Sequence, residues 1–216
     1  MTPELERFNA LPAGEAEARL SSCCASSEWA RRIAAARPFG SFRELADEAD
    51  RVWRSLSRED WLEAFAAHPK IGSTPSSRPS SVAGAGPQGL SPQHSPAEKG
   101  TDLFNRSSQQ STEPGKNKSV PNFPPNFHAW SQEEQGGTRG ASPETLANLA
   151  DANRDYEERF GHIFIVCASG RNAAEMLALA EKRLGNDRAT ELAIAAEEQR
   201  KITRLRLEKL LAATDK

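Results

Sequence analysis

Apolar residues recur at spacings of three and four along most of this chain, the rhythm of helices that bury one face. The pattern begins at Thr2-Pro3-Glu4-Leu5, where a cap residue precedes proline at the first helical position, and runs through Leu5 and Phe8. Pro12 opens a second helix through Ala16 and Leu20. A third starts at Ser26-Ser27-Glu28-Trp29 and sets Trp29, Ile33 and Ala36 on one face, before Pro38 and Gly40 end it. Ser41-Phe42-Arg43-Glu44 reads as a capping box ahead of Phe42, Leu45, Ala49, Val52 and Trp53.

A fifth helix closes on Ala67-His68-Pro69-Lys70-Ile71-Gly72. Ser57 with Asp60 forms its capping box, and Trp61, Phe65 and His68 share one face. Pro69 disfavours helical backbone at His68, so the helix stops there. A titratable ring then stands at the rim of an apolar face, where its pKa is expected to be tuned around neutrality.

The rhythm fails between residue 73 and about residue 128. Ser, Pro, Gly, Gln and Asn dominate, and no apolar period survives. Such a segment cannot bury enough surface to offset its ordering entropy, so it is expected to be a disordered insertion. Neither flank looks complete alone. Residues 1–216 are therefore read as one domain interrupted at 73–128.

Order is expected to resume at Trp130-Ser131-Gln132-Glu133-Glu134-Gln135. There Ser131 would cap a short helix with Glu133 and Glu134 in its first turn, ended by Gly136-Gly137. Ser142-Pro143-Glu144 starts a long helix with the stripe Leu146, Leu149, Asn153, Tyr156, Phe160 and a glycine cap at Gly161. His162-Ile163-Phe164-Ile165-Val166-Cys167-Ala168 is short, β-branched and aromatic. It reads as a buried extended segment before the turn Ser169-Gly170-Arg171. No partner strand exists for it, so its peptide groups must bond elsewhere, and a ligand is one candidate. Asn172 with Glu175 caps the next helix, through Met176, Leu177, Leu179 and Leu184 to Gly185. The last helix runs from about Asp187 to Leu211. The fold class is all-α, a single-domain helical bundle.

Composition narrows the function. The net charge of −2 argues against a binder of nucleic acid, which is normally basic. No apolar run approaches the length of a membrane helix. Neither a secretory signal at Met1-Thr2-Pro3 nor a peroxisomal S-K-L at the other terminus is expected. Three cysteines, Cys23, Cys24 and Cys167, do not build a disulfide framework, and the adjacent pair is read as small hydrophobes. Metal-ligand spacings, phosphate loops and covalent-nucleophile motifs are absent from the sequence.

Three polar residues stand out. His68 sits at a core-facing helix end. Glu134 lies beside a predicted helix start. Arg206 shares a stripe with Ile202 and Leu210, where an unpaired charge is expensive. It needs an anion, either a glutamate of this chain or a substrate carboxylate, and the pattern leaves both open. His94 and His128 are read as solvated, and His162 as a rim residue.

The ordered set Ala67-His68-Pro69-Lys70-Ile71-Gly72, Ser131-x-x-Glu134-Gln135, Tyr156-x-x-x-Phe160-Gly161-x-x-Phe164-Ile165-Val166-Cys167-Ala168 and Arg204-Leu205-Arg206-Leu207 resembles the 2-oxo-4-hydroxy-4-carboxy-5-ureidoimidazoline (OHCU) decarboxylase family. Gly170-Arg171 and Trp61-Leu62-Glu63-Ala64-Phe65 resemble its plant form most, which is commonly fused to a transthyretin-like hydroxyisourate hydrolase. The resemblance implies an all-helical homodimer that needs no cofactor. It implies conversion of OHCU to (S)-allantoin with loss of carbon dioxide in urate degradation, in the peroxisome or the cytoplasm. It assigns His68 as acid/base and proton donor, Glu134 as a second catalytic group and Arg206 as the holder of the anionic substrate. It lines the pocket with Pro69, Ser131, Gln132, Glu133, Glu134, Gln135 and the backbone of Phe164, Ile165, Val166, Cys167 and Ala168. The competing reading is a non-catalytic helical interaction module with the insertion as binding arm. That reading requires Arg206 to pair internally and no pocket to join His68 to the extended segment.

Overall fold

The computed structural model describes residues 1–72 and 125–212. The insertion read over 73–128 lies outside the described residues up to position 124, and His94 with it. Nine α-helices are found among the described residues, and no strand. They are α1 Pro3–Asn9, α2 Ala13–Ser21, α3 Ser27–Ala35, α4 Phe42–Arg54, α5 Arg58–Ala66, α6 Pro125–Glu134, α7 Pro143–Phe160, α8 Ala173–Arg183 and α9 Arg188–Ala212, with a 3-10 turn Gln135–Thr138 after α6.

The helix starts follow local chemistry. Thr2, Ser26, Ser57, Ser142 and Asn172 each accept a backbone N–H from the first turn of their helix. Ser57 with Asp60 and Asn172 with Glu175 form reciprocal capping boxes. Ser41 accepts from Glu44 N–H, but the Glu44 carboxylate reaches back one residue further, to Gly40 N–H at 2.7 Å. The expected box there is only half formed. Gly161 ends α7 at φ 77°, a left-handed cap that glycine adopts without strain.

Two apolar cores form. One gathers α1 to α5 around α9: Leu5, Phe8, Leu20, Trp29, Ile33, Leu45, Val52 and Phe65 are essentially sealed. Ala36 is exposed, and Ala30 and Ala34 take its expected place on the buried face of α3. Trp53 Nε1–H donates to the Ala196 carbonyl at 2.9 Å, pinning α4 to α9. Cys23 and Cys24 are buried in this core, as small hydrophobes.

The second core joins α7 and α8 through Leu149, Tyr156, Phe160 and Met176. The extended segment is the seam between the two. Ile163, Ile165 and Cys167 face the first core, whereas Phe164, Val166 and Ala168 face the second. That alternation is the two-residue period of extended backbone, kept with no neighbouring strand among the described residues.

Candidate active site

His68 is delivered by the last turn of α5. Its backbone N–H still bonds to the Phe65 carbonyl at 3.1 Å, and Pro69 then turns the chain away. The imidazole meets the Phe127 ring edge-on, centroids 5.2 Å apart. Its Nε2 is buried with no hydrogen-bond partner. Burial, reinforced by the nearby Arg206 charge, pushes its pKa down to about 3, with the Gln199 side chain opposing. The ring is neutral at pH 7, well below the neutrality-tuned value expected from sequence.

The helix carrying Glu134 differs from expectation. It begins at Pro125, inside the stretch read as insertion, so Ser131 lies mid-helix and does not cap. The Ser131 hydroxyl instead donates to the Phe127 carbonyl at 2.9 Å. Glu133 and Glu134 therefore end α6, where the helix dipole disfavours acids. Basic partners offset this. Lys209 meets Glu133 at 3.0 Å, and Arg206 grips Glu134 with two bonds of 2.9 and 2.7 Å.

Arg206 is fully buried on α9. Beyond Glu134 it donates to Ser131 Oγ at 2.9 Å, and its guanidinium lies 4.5 Å over the Phe127 ring. Nη1 is buried with no partner. Phe127 thus touches both His68 and Arg206. Sequence reading missed it by placing it in the insertion. The usable signal was Phe127, Ser131 and Glu134 at spacings of four and three, the rhythm already seen in Trp61, Phe65 and His68.

One cleft brings most of these elements together. Its walls are His68, Pro69 and Ile71, then Ser131, Glu134 and Gln135, then Phe164, Ile165, Val166 and Ala168, with Ile202 from α9. Its cavity volume is about 20 Å³, rising to about 330 Å³ of non-protein space only when open solvent at the mouth is included. Gln135 Nε2 donates to the Pro69 carbonyl at 3.2 Å and ties two walls to each other. Asn153 of α7 anchors the Ile71 end of the first wall, donating to the Ile71 carbonyl at 3.0 Å. Gln132 and Glu133 are exposed and do not join the walls. Cys167 faces the first core, and Arg206 stands behind Glu134 rather than in the lining.

The extended segment is held largely by side chains. Arg183 donates to the Ile165 carbonyl at 2.8 Å, Glu198 accepts the Cys167 N–H at 2.8 Å, and Arg171 Nε donates to the Cys167 carbonyl at 3.2 Å. None of these bonds reaches a peptide group of Phe164 or Val166, both of which line the cleft. Arg183 is itself locked in a buried cluster with Glu191 and the Tyr156 hydroxyl. Burial raises the Tyr156 pKa well above its ordinary range. His162 is buried, not a rim residue. It packs against Phe65, Tyr156 and Phe160, and burial lowers its pKa.

Both requirements of the two readings are met in part. Arg206 pairs internally, as an interaction module demands. The enzyme reading requires His68, Glu134 and Arg206 to converge on one cleft; His68 and Glu134 line it with the extended segment, whereas Arg206 stands behind Glu134.

The profile of the OHCU decarboxylase family matches residues 9–101 and 122–208. Over 204 residues the chain is 36% identical to the uric acid degradation bifunctional protein TTL of Arabidopsis thaliana, covering 94% of this chain and 49% of that protein. Over 84 residues it is 38% identical to the OHCU decarboxylase of Amia calva, covering 36% of this chain and 48% of that one. The chain thus spans about half the length of the curated relatives it matches. Among solved structures it resembles an OHCU decarboxylase crystallised in the presence of (S)-allantoin, with a TM-score of 0.61, 31% identity and coverage of 90% and 98% of the two chains. An (S)-allantoin synthase shares the fold with a TM-score of 0.56 at 14% identity, covering 95% of this chain and 53% of the other. With its profile match on both sides of the insertion and its His68 cleft, this chain belongs to the OHCU decarboxylase family.

Proposed function

We propose that this chain decarboxylates OHCU to (S)-allantoin in urate degradation. The observation that carries the proposal is a neutral imidazole and the extended main chain of Phe164 to Ala168 sharing one cleft.

The substrate supplies its own electron sink. When the carboxylate leaves as carbon dioxide, its C–C bonding pair forms a ring C=C bond and the adjacent C=N pair moves onto the ring nitrogen, which takes one proton from solvent. A proton must then reach the neighbouring ring carbon from one face, while the hydroxyl beside the lost carboxylate gives up its proton to become a carbonyl. A neutral imidazole suits this exchange. His68 takes the hydroxyl proton as the bond breaks and returns it to carbon as imidazolium. One-sided delivery makes the product a single enantiomer.

Around that step, Glu134 lines the cleft with a carboxylate oriented by Arg206, suited to accept from ureido N–H groups. The peptide N–H groups that line the cleft offer positive potential to the carboxylate and to the developing charge, and Arg206 acts through the Glu134 carboxylate it orients. No cofactor takes part in this scheme. By the family resemblance, the working form is a homodimer partnered with a transthyretin-like hydroxyisourate hydrolase, in the peroxisome or the cytoplasm.

The test is to generate OHCU from urate in situ and follow (S)-allantoin by circular dichroism. Acceleration and a single enantiomer are expected with the wild-type chain. His68→Asn is expected to lose about a hundredfold or more in kcat. A variant that keeps both rate and enantiomeric excess refutes the assignment.

A further inference from the structure

Behind His68, on α9, lies a glutamine that neither the apolar pattern nor the family resemblance singled out. Gln199 is fully buried. Its Nε2 donates to the Thr203 hydroxyl at 3.3 Å, and that hydroxyl also reaches the Cys24 sulfur. The donor end of the amide is therefore committed. Its Oε1 is buried without a partner, and so is His68 Nε2. Two such orphans are each costly alone, and joining them relieves both.

We propose that Gln199 is the positioning residue of His68: its Oε1 accepts the imidazole Nε2–H, fixes the resting proton there, and leaves Nδ1 to take up and return the travelling proton. The proposal rests on the role given to His68 above. An amide oxygen can only accept, so the nitrogen facing it must carry hydrogen. The direction of the Gln199 effect agrees, since it favours the protonated ring against burial and Arg206. Thr203 completes the relay by accepting from the amide nitrogen, which keeps the oxygen turned toward the imidazole.

Other groups facing His68 are accounted for. Arg206 from α9 is neutralised by Glu134 from α6. Around a second hollow that His68 shares lie the Lys70–Glu157 pair, at 2.5 Å, and His162. None of these contacts selects a tautomer, whereas an amide acceptor does.

The experiment is ¹⁵N NMR of the substrate-free full chain labelled at histidine, with His68→Asn used to assign the signal. The neutral Nε2–H tautomer is expected at His68. An Nδ1–H tautomer, the result if the amide is reversed, overturns the proposal without any further variant. In Gln199→Leu, both tautomers should appear. Its kcat should fall about tenfold with KM unchanged, the loss of one hydrogen bond. The acid limb of kcat/KM should move to lower pH, because an interaction that favoured the proton is gone. Gln199→Glu, which restores an acceptor and adds charge, should recover the Nε2–H form and move that limb to higher pH. A folded Gln199→Leu with unaltered tautomer and pH profile refutes the proposal, and an inactive His68→Asn beside it leaves the decarboxylase reading standing. An active His68→Asn refutes the proton-carrying role of His68 instead, while the NMR result still decides the tautomer.

Discussion

Arg206 and Glu134 face each other in a two-pronged ion pair, 2.9 and 2.7 Å, with the guanidinium sealed from solvent and the carboxylate only 8% exposed. A pair this deep is fragile to half-removal, because the surviving charge keeps its desolvation cost without its partner. Arg206→Met should therefore destabilise the fold by about 3–5 kcal/mol in urea unfolding. Glu134→Gln, which keeps the shape but leaves the sealed guanidinium without its counter-charge, should destabilise comparably and impair allantoin formation. A double variant that is no less stable than Arg206→Met alone would confirm coupling between the two.

His68 also makes a pH prediction about the fold itself. Its folded pKa of about 3 lies below the ordinary 6.5. Between those values the unfolded chain binds a proton that the folded chain refuses. Stability is therefore fully present above pH 6.5 and declines as pH falls through the window, by at most about 1.4 kcal/mol per pH unit for this group. His162, also lowered by burial, acts with the same sign. Urea titrations from pH 7 down to pH 4 should show His68→Asn with a shallower decline than wild type.

The helices with caps and a clean apolar stripe were legible from sequence because local chemistry decides them. Ser57 with Asp60 and Asn172 with Glu175 are examples. The cleft was half legible. His68 and the extended segment were visible as local anomalies, a ring at a helix end and a strand without a neighbour. The start of α6 was not, because Phe127 follows Asn122-Phe123-Pro124-Pro125-Asn126 with no apolar period behind it, and the groups it packs on, His68 and Arg206, are distant in sequence. The Arg183–Glu191 cluster was hidden for a related reason. Two charges eight residues apart on different helices look like solvated faces until the turn between α8 and α9 folds them together.

Gly137 in the 3-10 turn is required by close approach, not by its φ. A Cβ there would stand 1.8 Å from the Arg171 carbonyl oxygen, so one of the two loops must move. Gly137→Ala should cost about 1–3 kcal/mol, the range for forced repacking. Because Gln135 two residues earlier ties the cleft to Pro69, KM for OHCU should rise more than kcat falls. Steady-state kinetics beside thermal unfolding would separate the two effects.

Arg183 makes the sharpest structural prediction about the main-chain wall. Its guanidinium serves three partners at once: Glu191 through Nε at 2.8 Å, the Tyr156 hydroxyl at 3.1 Å and the Ile165 carbonyl at 2.8 Å. It also lies 4.8 Å over the Phe164 ring. Lysine cannot reproduce that planar fork. In Arg183→Lys the ammonium should stay with Glu191, since leaving that carboxylate buried and alone is the costlier choice. The Ile165 carbonyl then loses its donor, and the seam between the two cores loosens where it borders the cleft. Amide exchange at positions 164–168 should accelerate while the helices far from the seam keep their protection. The expected kinetic signature is a raised KM with the acid limb of the pH profile unmoved, because His68 and its neighbours on α9 are untouched. A variant with unchanged exchange across that segment would show that packing by Phe164 and Val166, rather than Arg183, holds the wall in place.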